Sequence, residues 1–257
     1  MNLKKKIIAA NWKMNKTLPE GEKLRNQVLE GLKKIPHNAE PILFPSFLHI
    51  GNWQNLYNTT PNPPIALGAQ NLGTEPNGAR TGEISAHMLK SAHVEYVLIG
   101  HAERRTFYHE DNNSLILQKL QQAQQHNLKT IFCCGESLEI RKSKKTLEHL
   151  QKQLEPLKNL NNIHNPNILI AYEPVWAIGT GLIPDVKEIQ NINTQIRKIL
   201  HEIYLLPKPY LPFLYGGSVN EKNAQDILTH VDGLLVGSSS LHAEKFLQIL
   251  AATQHKT

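Results

Sequence analysis

The sequence predicts an α/β protein folded as one (β/α)8 barrel over residues 1–257, with eight parallel strands surrounded by helices, and three observations carry that reading. Eight short runs rich in Val, Ile and Leu recur along the 257 residues. Stretches of helical period separate them, most led by turn or capping residues, and such alternation implies a parallel sheet. The runs are almost wholly apolar with little alternation, as expected of strands buried on both faces. Eight such units in about 250 residues suit a closed barrel. A doubly wound open sheet shares the alternation, because periodicity does not reveal closure.

The strands follow in order. KIIAAN (6–11) comes straight after a lysine cluster and ends in a polar residue, and PILF (41–44) is the second run. IALGAQ (65–70) and EYVLIG (95–100) are third and fourth, the latter followed by HAERR; KTIFCC (129–134) is the fifth. NILIAY (167–172) runs into EPVW, LPFLY (211–215) into GGS, and DGLLVG (232–237) into SSS. The clearest helical periods are Leu115 to His126 and Val186 to Leu200. Strand spacing is uneven, so no solenoid repeat is present. No Gly/Ser-rich or Pro-rich tract divides the chain, which favours one domain.

Composition narrows the function classes. Lys and Arg number 28 against 22 Asp and Glu, a net charge of +6. The basic clusters Lys4 to Lys6, Lys33 with Lys34, and Arg141 to Lys145 carry no interleaved aromatics to stack bases, so they read as solvated faces and no nucleic-acid partner is expected. The two cysteines, Cys133 and Cys134, are adjacent on an apolar run, which points to core thiols in a reducing compartment and to no metal spacing. The apolar stretch IIAA is too short for a signal peptide, and nothing approaches a membrane span. A soluble cytoplasmic protein without a membrane partner is expected.

In a barrel of this kind chemistry gathers where strands end and helices begin. AANWK, IGHAERR, AYEPVW, LYGGS and LLVGS would meet on that rim. Glu173, emerging from the sixth strand among apolar neighbours, suits general-base work, because desolvation brings its proton affinity towards neutrality. An isolated Glu would more often be an ion-pair partner. His101 precedes a helical AERR, and a helix N-terminus keeps an imidazole neutral and able to donate a hydrogen bond. Twelve other histidines make a surface role the ordinary alternative, but none of them follows a strand-end glycine in this way. Lys13 and Asn11 flank Trp12, where an ammonium would stabilise an oxyanion or hold phosphate; alone, Lys13 would read as a snorkelling surface lysine.

Gly216, Gly217 and Gly237 offer backbone N–H groups to an anion after the last two strands, with the Ser218 hydroxyl beside them. One GG pair is weak evidence; two strand-end glycine sites in succession are more specific. Pro174, a stiff apolar stretch and the GTG at 179–181 have the make-up of a lid over Glu173, with the Gly179 N–H aimed at phosphate.

AANWKMNK, GAQN, NGARTGEIS, IGHAERR, CGESLE, AYEPVWAIGTG, YGGSVN and DGLLVG together resemble the triosephosphate isomerase family over essentially the whole chain. The resemblance implies a TIM barrel that interconverts dihydroxyacetone phosphate and glyceraldehyde 3-phosphate through an enediolate. Glu173 would be the base, His101 the electrophile, and Lys13 with Asn11 the stabilisers of negative charge. Gly179, Ser218, Gly237 and Ser238 would bind phosphate, and Glu103 and Thr81 would support. No cofactor and no metal are required. The segment from Gln70 to Glu83 is similar to the family's dimer loop, with Thr81 bracing the partner's Asn11 and Lys13, so a homodimer is implied.

Three departures stand out. Ala102 replaces a serine whose hydroxyl holds the base while the lid is open; Ser238 and Ser239 replace glycine and alanine; Lys144 replaces a common glycine. A barrel kept only for binding or adhesion is opposed by the joint presence of Asn11, Lys13, His101 and Glu173. A sugar-phosphate epimerase would place metal ligands or other acids on the rim, and no such cluster is evident.

Overall fold

The computed structural model describes residues 5–59, 63–160, 167–177, 184–204 and 211–254. Eight strands form one closed parallel barrel in the order β1 to β8, so the closed alternative is the one adopted. They are β1 (Lys6–Asn11), β2 (Ala39–Phe44), β3 (Ala66–Ala69), β4 (Tyr96–Ile99), β5 (Lys129–Cys134), β6 (Ile168–Tyr172), β7 (Phe213–Tyr215) and β8 (Gly233–Val236). Closure is made by β1 on β8, with Ile7 opposite Gly233 and Ala10 opposite Val236. Gly233 is required there, since a Cβ would lie 2.1 Å from the Ile7 carbonyl oxygen.

The apolar strands serve two cores because successive side chains point to opposite faces. Ile7, Ala9, Ile42, Phe44, Leu98, Ile131, Cys133, Leu169, Ala171, Leu214 and Leu235 fill the barrel interior. Ile8, Ala10, Leu43, Val97, Phe132, Cys134, Ile170 and Val236 face the helices instead. Both cysteines are free and buried, and burial pushes the Cys134 thiol up to about 12.

The helices that matter for the site are α1 (Leu18–Leu32), α2 (Phe47–Asn52), α3 (Gln54–Thr59), α4 (Ala86–Ser91) and α5 (Ala102–Phe107). They continue with α6 (Asn113–Gln125), α7 (Leu138–Lys142), α8 (Thr146–Leu154), α9 (Val186–Tyr204), α10 (Ala224–Leu228) and α11 (Ala243–Ala251). Local chemistry starts several of them. Thr17 and Glu20 form a capping box on α1, Ser85 Oγ accepts the Met88 N–H on α4, and Asn112 Oδ1 accepts two N–H groups on α6. Among the described residues no helix is long and apolar enough to cross a membrane.

Lys5, Lys142, Lys144 and Lys145 lie on solvated faces as the sequence suggests, but one cation in each of those two clusters does not. Lys6 Nζ donates to the carbonyls of Leu228 and Val231 at 2.8 and 2.6 Å, tying β1 to the chain entering β8. Arg141 pairs with Glu188 and stacks over Trp176 at 4.2 Å from the ring centroid. In each case a cation is recruited by oxygen or aromatic partners far away in sequence, which charge patterning does not display.

Candidate active site

The carboxyl ends of β1, β4, β6, β7 and β8 converge on a cavity of about 460 Å³. Two sets of residues line it: Asn11, Lys13, His101 and Glu173, and the stretches Gly216 to Asn220 and Gly237 to Ser239. A larger cleft of about 770 Å³ opens near the amino ends of the strands, among Lys5, His37, Glu40, Lys90 and Glu95, but no candidate site residue borders it.

Glu173 leaves β6 almost fully buried, at 2% exposure. Its backbone N–H donates to the Cys134 carbonyl at 2.8 Å, and Gly135 lets the chain pass, since a Cβ there would fall 1.8 Å from the Glu173 carbonyl oxygen. The carboxylate takes two hydrogen bonds. Oε2 accepts the Ala102 N–H at 3.1 Å, and Oε1 lies 3.1 Å from His101 Nε2. With alanine at position 102, the first backbone N–H of α5 and the imidazole hold the carboxylate.

His101 is placed by Gly100, whose φ of +75° turns the chain from β4 into α5. Its Nδ1 accepts the Glu103 N–H at 3.2 Å, so the ring proton belongs on Nε2, aimed at Glu173. In the ligand-free arrangement neither charge is set by burial or by the helix N-terminus alone. Burial pushes the Glu173 carboxyl up, but His101 foremost, then the Ala102 N–H and Lys13, outweigh it and hold the carboxyl below its usual range. Burial likewise opposes charge on His101, yet the charge and hydrogen bond of Glu173 draw its pKa above that of an ordinary histidine. Burial is the largest single influence on each group, and the partner is foremost among those that outweigh it, a long-range contact that strand-end position alone does not reveal.

Lys13 adopts φ +54°, a left-handed conformation uncommon for a side-chain-bearing residue. Neighbours hold it there. Asn11, 4% exposed, accepts the Lys13 N–H on Oδ1 at 3.0 Å, and Gln70 Nε2 donates to the carbonyls of Lys13 and Phe44, each at 2.9 Å. The ammonium reaches Glu103 Oε1 at 2.6 Å. Lys13 is therefore pinned at both ends and is not a free surface lysine. Gln70 was visible in GAQN only as part of a motif, and nothing local to it signals that it props the turn after β1.

The other wall is made largely of backbone. Gly216 does not offer its N–H to a ligand: it donates to the Tyr172 carbonyl at 2.8 Å, and a Cβ would stand 2.9 Å from Glu173 Cγ. Gly217 is needed for packing, because a Cβ would come 2.0 Å from the Tyr215 hydroxyl. The Ser218 hydroxyl donates to the Ala177 carbonyl at 2.5 Å, joining the β7 loop to the segment after Glu173. Gly237 approaches Lys13, with a built Cβ 3.5 Å from Lys13 Cε. Ser238 is exposed and starts a short 3-10 turn, Ser238–Leu241, without a positive φ, so its side chain causes no backbone strain.

Glu136 is a further residue that motif reading passed over inside CGESLE. Fully buried, it accepts from the Tyr172 hydroxyl at 3.0 Å and Trp176 Nε1 at 3.1 Å, anchoring the chain just after Glu173; burial raises its carboxyl pKa. Gly179 and the rest of the GTG lie outside the described residues. Thr81 is exposed and does not border the cavity of its own chain.

The sequence model of the family described as "Triosephosphate isomerase" matches residues 6–253. A curated triosephosphate isomerase of Amoebophilus asiaticus is 42% identical over 253 residues, covering 96% of this chain and 99% of its own. One from Alkaliphilus oremlandii is 40% identical over 252 residues, with 96% and 99% covered. The crystal structure of triosephosphate isomerase from Bartonella henselae superposes with a TM-score of 0.82 at 35% identity, over 96% of this chain and 98% of that one.

Proposed function

The chain belongs to the triosephosphate isomerase family of enzymes, and on that premise we propose that it interconverts dihydroxyacetone phosphate and glyceraldehyde 3-phosphate by proton transfer at the cavity above β1, β4 and β6. The observation that carries this reading is the convergence of Asn11, Lys13, His101 and Glu173 on one cavity that Ser218 and Gly237–Ser238 also line.

The roles are those of the family, carried over residue by residue. Glu173 removes a proton from the carbon beside the carbonyl; the C–H electron pair becomes the new C–C double bond, and the carbonyl π pair moves onto its oxygen. His101 donates its Nε2 hydrogen bond to that oxygen and relays protons between the two oxygens of the enediolate. Lys13 and Asn11 stabilise the negative charge. Glu173 then returns its proton to the neighbouring carbon, completing the isomerisation without net redox change.

The ligand-free arrangement supplies a physical reason for the proton affinities. Glu173 must leave His101 and the Ala102 N–H to reach substrate, losing the contacts that hold its pKa down while keeping the burial that pushes it up. His101 loses the nearer of its two carboxylate neighbours in the same movement; Glu103 Oε2 stays 3.7 Å from Nδ1, while the Glu103 N–H on Nδ1 favours the neutral ring. Substrate binding thus turns a mutually quenched pair into a stronger base and a neutral donor.

Phosphate is held by Gly179, Ser218, Gly237 and Ser238, with the segment after Glu173 closing as a lid and keeping the enediolate from losing phosphate. Thr81 of a second copy braces Asn11 and Lys13 in a homodimer, with Glu103 supporting Lys13 and His101. A coupled assay with glyceraldehyde 3-phosphate tests the reading; absence of turnover at any enzyme concentration would sink it.

A further inference from the structure

The ladder joining β7 to β8 pairs only Leu214 with Gly233 and Tyr215 with Leu234, and stops before the loops that face the anion. Those loops begin two to three residues later, where no strand pairing fixes their spacing. The β7 loop is braced within itself: Val219 N–H donates to the Gly217 carbonyl at 2.9 Å, and Asn223 Nδ2 to the Ser218 carbonyl at 2.9 Å. The β8 loop is braced within itself by the Ser240 hydroxyl, which donates to the Gly237 carbonyl at 2.7 Å. Among the described residues, the hydrogen bond that crosses from one loop to the other is that of Ser239, whose hydroxyl donates to the Val219 carbonyl at 3.0 Å.

We infer that Ser239 is a positioning residue for the anion, a strut that sets the distance between the Ser218 and Gly237–Ser238 backbones. Four observations support it. Ser239 is buried, at 8% exposure, so water competes little for its hydroxyl. Its acceptor, Val219, directly follows Ser218, and Ser239 itself directly follows Ser238, so the bond lies one residue behind each anion-facing position. Both loops line the same cavity. Each loop is internally stiff, so a single cross-link transmits position between them. Oriented N–H groups hold an anion best when their spacing is fixed before it arrives. The inference rests on the proposed phosphate role of these loops.

The test is Ser239→Ala, which removes one oxygen and leaves a side chain that fits the same space, with Ser239→Thr as the variant that retains the hydroxyl. Steady-state kinetics give KM and kcat, and titration calorimetry with inorganic phosphate gives affinity without any need for turnover. Ser239→Ala is expected to raise KM and weaken phosphate binding together by about fivefold, the reach of one buried hydrogen bond, with kcat changing less than about twofold. Ser239→Thr restores both. A lowered melting temperature with unchanged phosphate affinity would overturn the inference, leaving the hydroxyl merely structural. So would a fall in kcat alone, or a parent chain that binds no phosphate. A parent that binds phosphate but does not isomerise defeats the proposed reaction and leaves the strut to be judged by calorimetry.

Discussion

The two walls of the cavity are built on different plans. In one, side chains hold one another: Glu173 on His101 and Ala102 N–H, Lys13 on Glu103, Asn11 on the Lys13 backbone. In the other, glycines and serines of the β7 and β8 loops line the cavity, and the hydroxyls of Ser218 and Ser239 are spent on neighbouring carbonyls. The difference teaches what each wall tolerates. A wall of interlocked side chains must exchange partners in order to act, so displacing one group disturbs the rest. A wall of backbone N–H groups accepts a new side chain wherever φ stays negative and the side chain points away.

The largest effect should come from the interlocked wall. Glu173→Asp keeps the charge but withdraws it by about one methylene, and misplacement on the order of 1 Å can cost ~10²-fold. Steady-state kinetics should show kcat falling by ~10² or more with little change in KM. Near-normal turnover would remove Glu173 from the base role. His101→Gln should come next, folding normally but losing about 10²-fold in kcat, near the low end for a positioned acid–base group. It keeps a donor and loses the relay, so solvent-isotope exchange during turnover should change as well; unaltered exchange and kinetics together would count against the electrophile role.

The backbone wall should respond to charge and barely to size. Ser238→Asp sets like charge against the anion and should weaken inhibition by inorganic phosphate well beyond tenfold. Ser238→Gly should alter it by no more than about tenfold, roughly 1.4 kcal/mol, because Ser238 already has a negative φ and an exposed side chain. An Asp variant that binds phosphate as the parent does would show that this loop is not the phosphate site.

The same contrast explains what was legible in the sequence. Strand runs such as KTIFCC and the residues that follow them could be read directly, because double-sided burial and strand-end position are written in consecutive residues. The glycines of YGGS were read as anion donors, whereas Gly216 spends its N–H on Tyr172 and Gly217 makes room for Tyr215. Lys6, Gln70 and Glu136 carry structure through partners 222, 57 and 36 residues away, and no local pattern marks them. The coupling of the two titrating groups is hidden for the same reason: the nearest titratable neighbour of Glu173 is 72 positions back, at His101.

A finer test of the interlocked wall is Ala102→Ser. The added hydroxyl would give Glu173 a second donor beside the Ala102 N–H, deepening the ligand-free resting position without touching the reacting atoms. Turnover should change by less than about tenfold, the scale of one hydrogen bond to a charged group. A loss as severe as that of Glu173→Asp would mean that residue 102 acts directly in the reaction.

The smallest effect should lie outside both walls and serves as their control. Lys144, exposed in the turn between α7 and α8, has φ +59°, the left-handed region that favours glycine. Glycine relieves the left-handed strain of about 1–2 kcal/mol, but it also frees the unfolded chain by roughly 0.5–1 kcal/mol. The two largely offset, so Lys144→Gly should raise stability by no more than about 1 kcal/mol in denaturant unfolding, with KM and kcat unchanged. Lys144→Val should do the opposite, since a β-branched side chain at positive φ is strained further. If Lys144→Gly altered turnover as much as Ala102→Ser, effects would be travelling through the helical layer into the cavity, and the division into two locally built walls would be wrong.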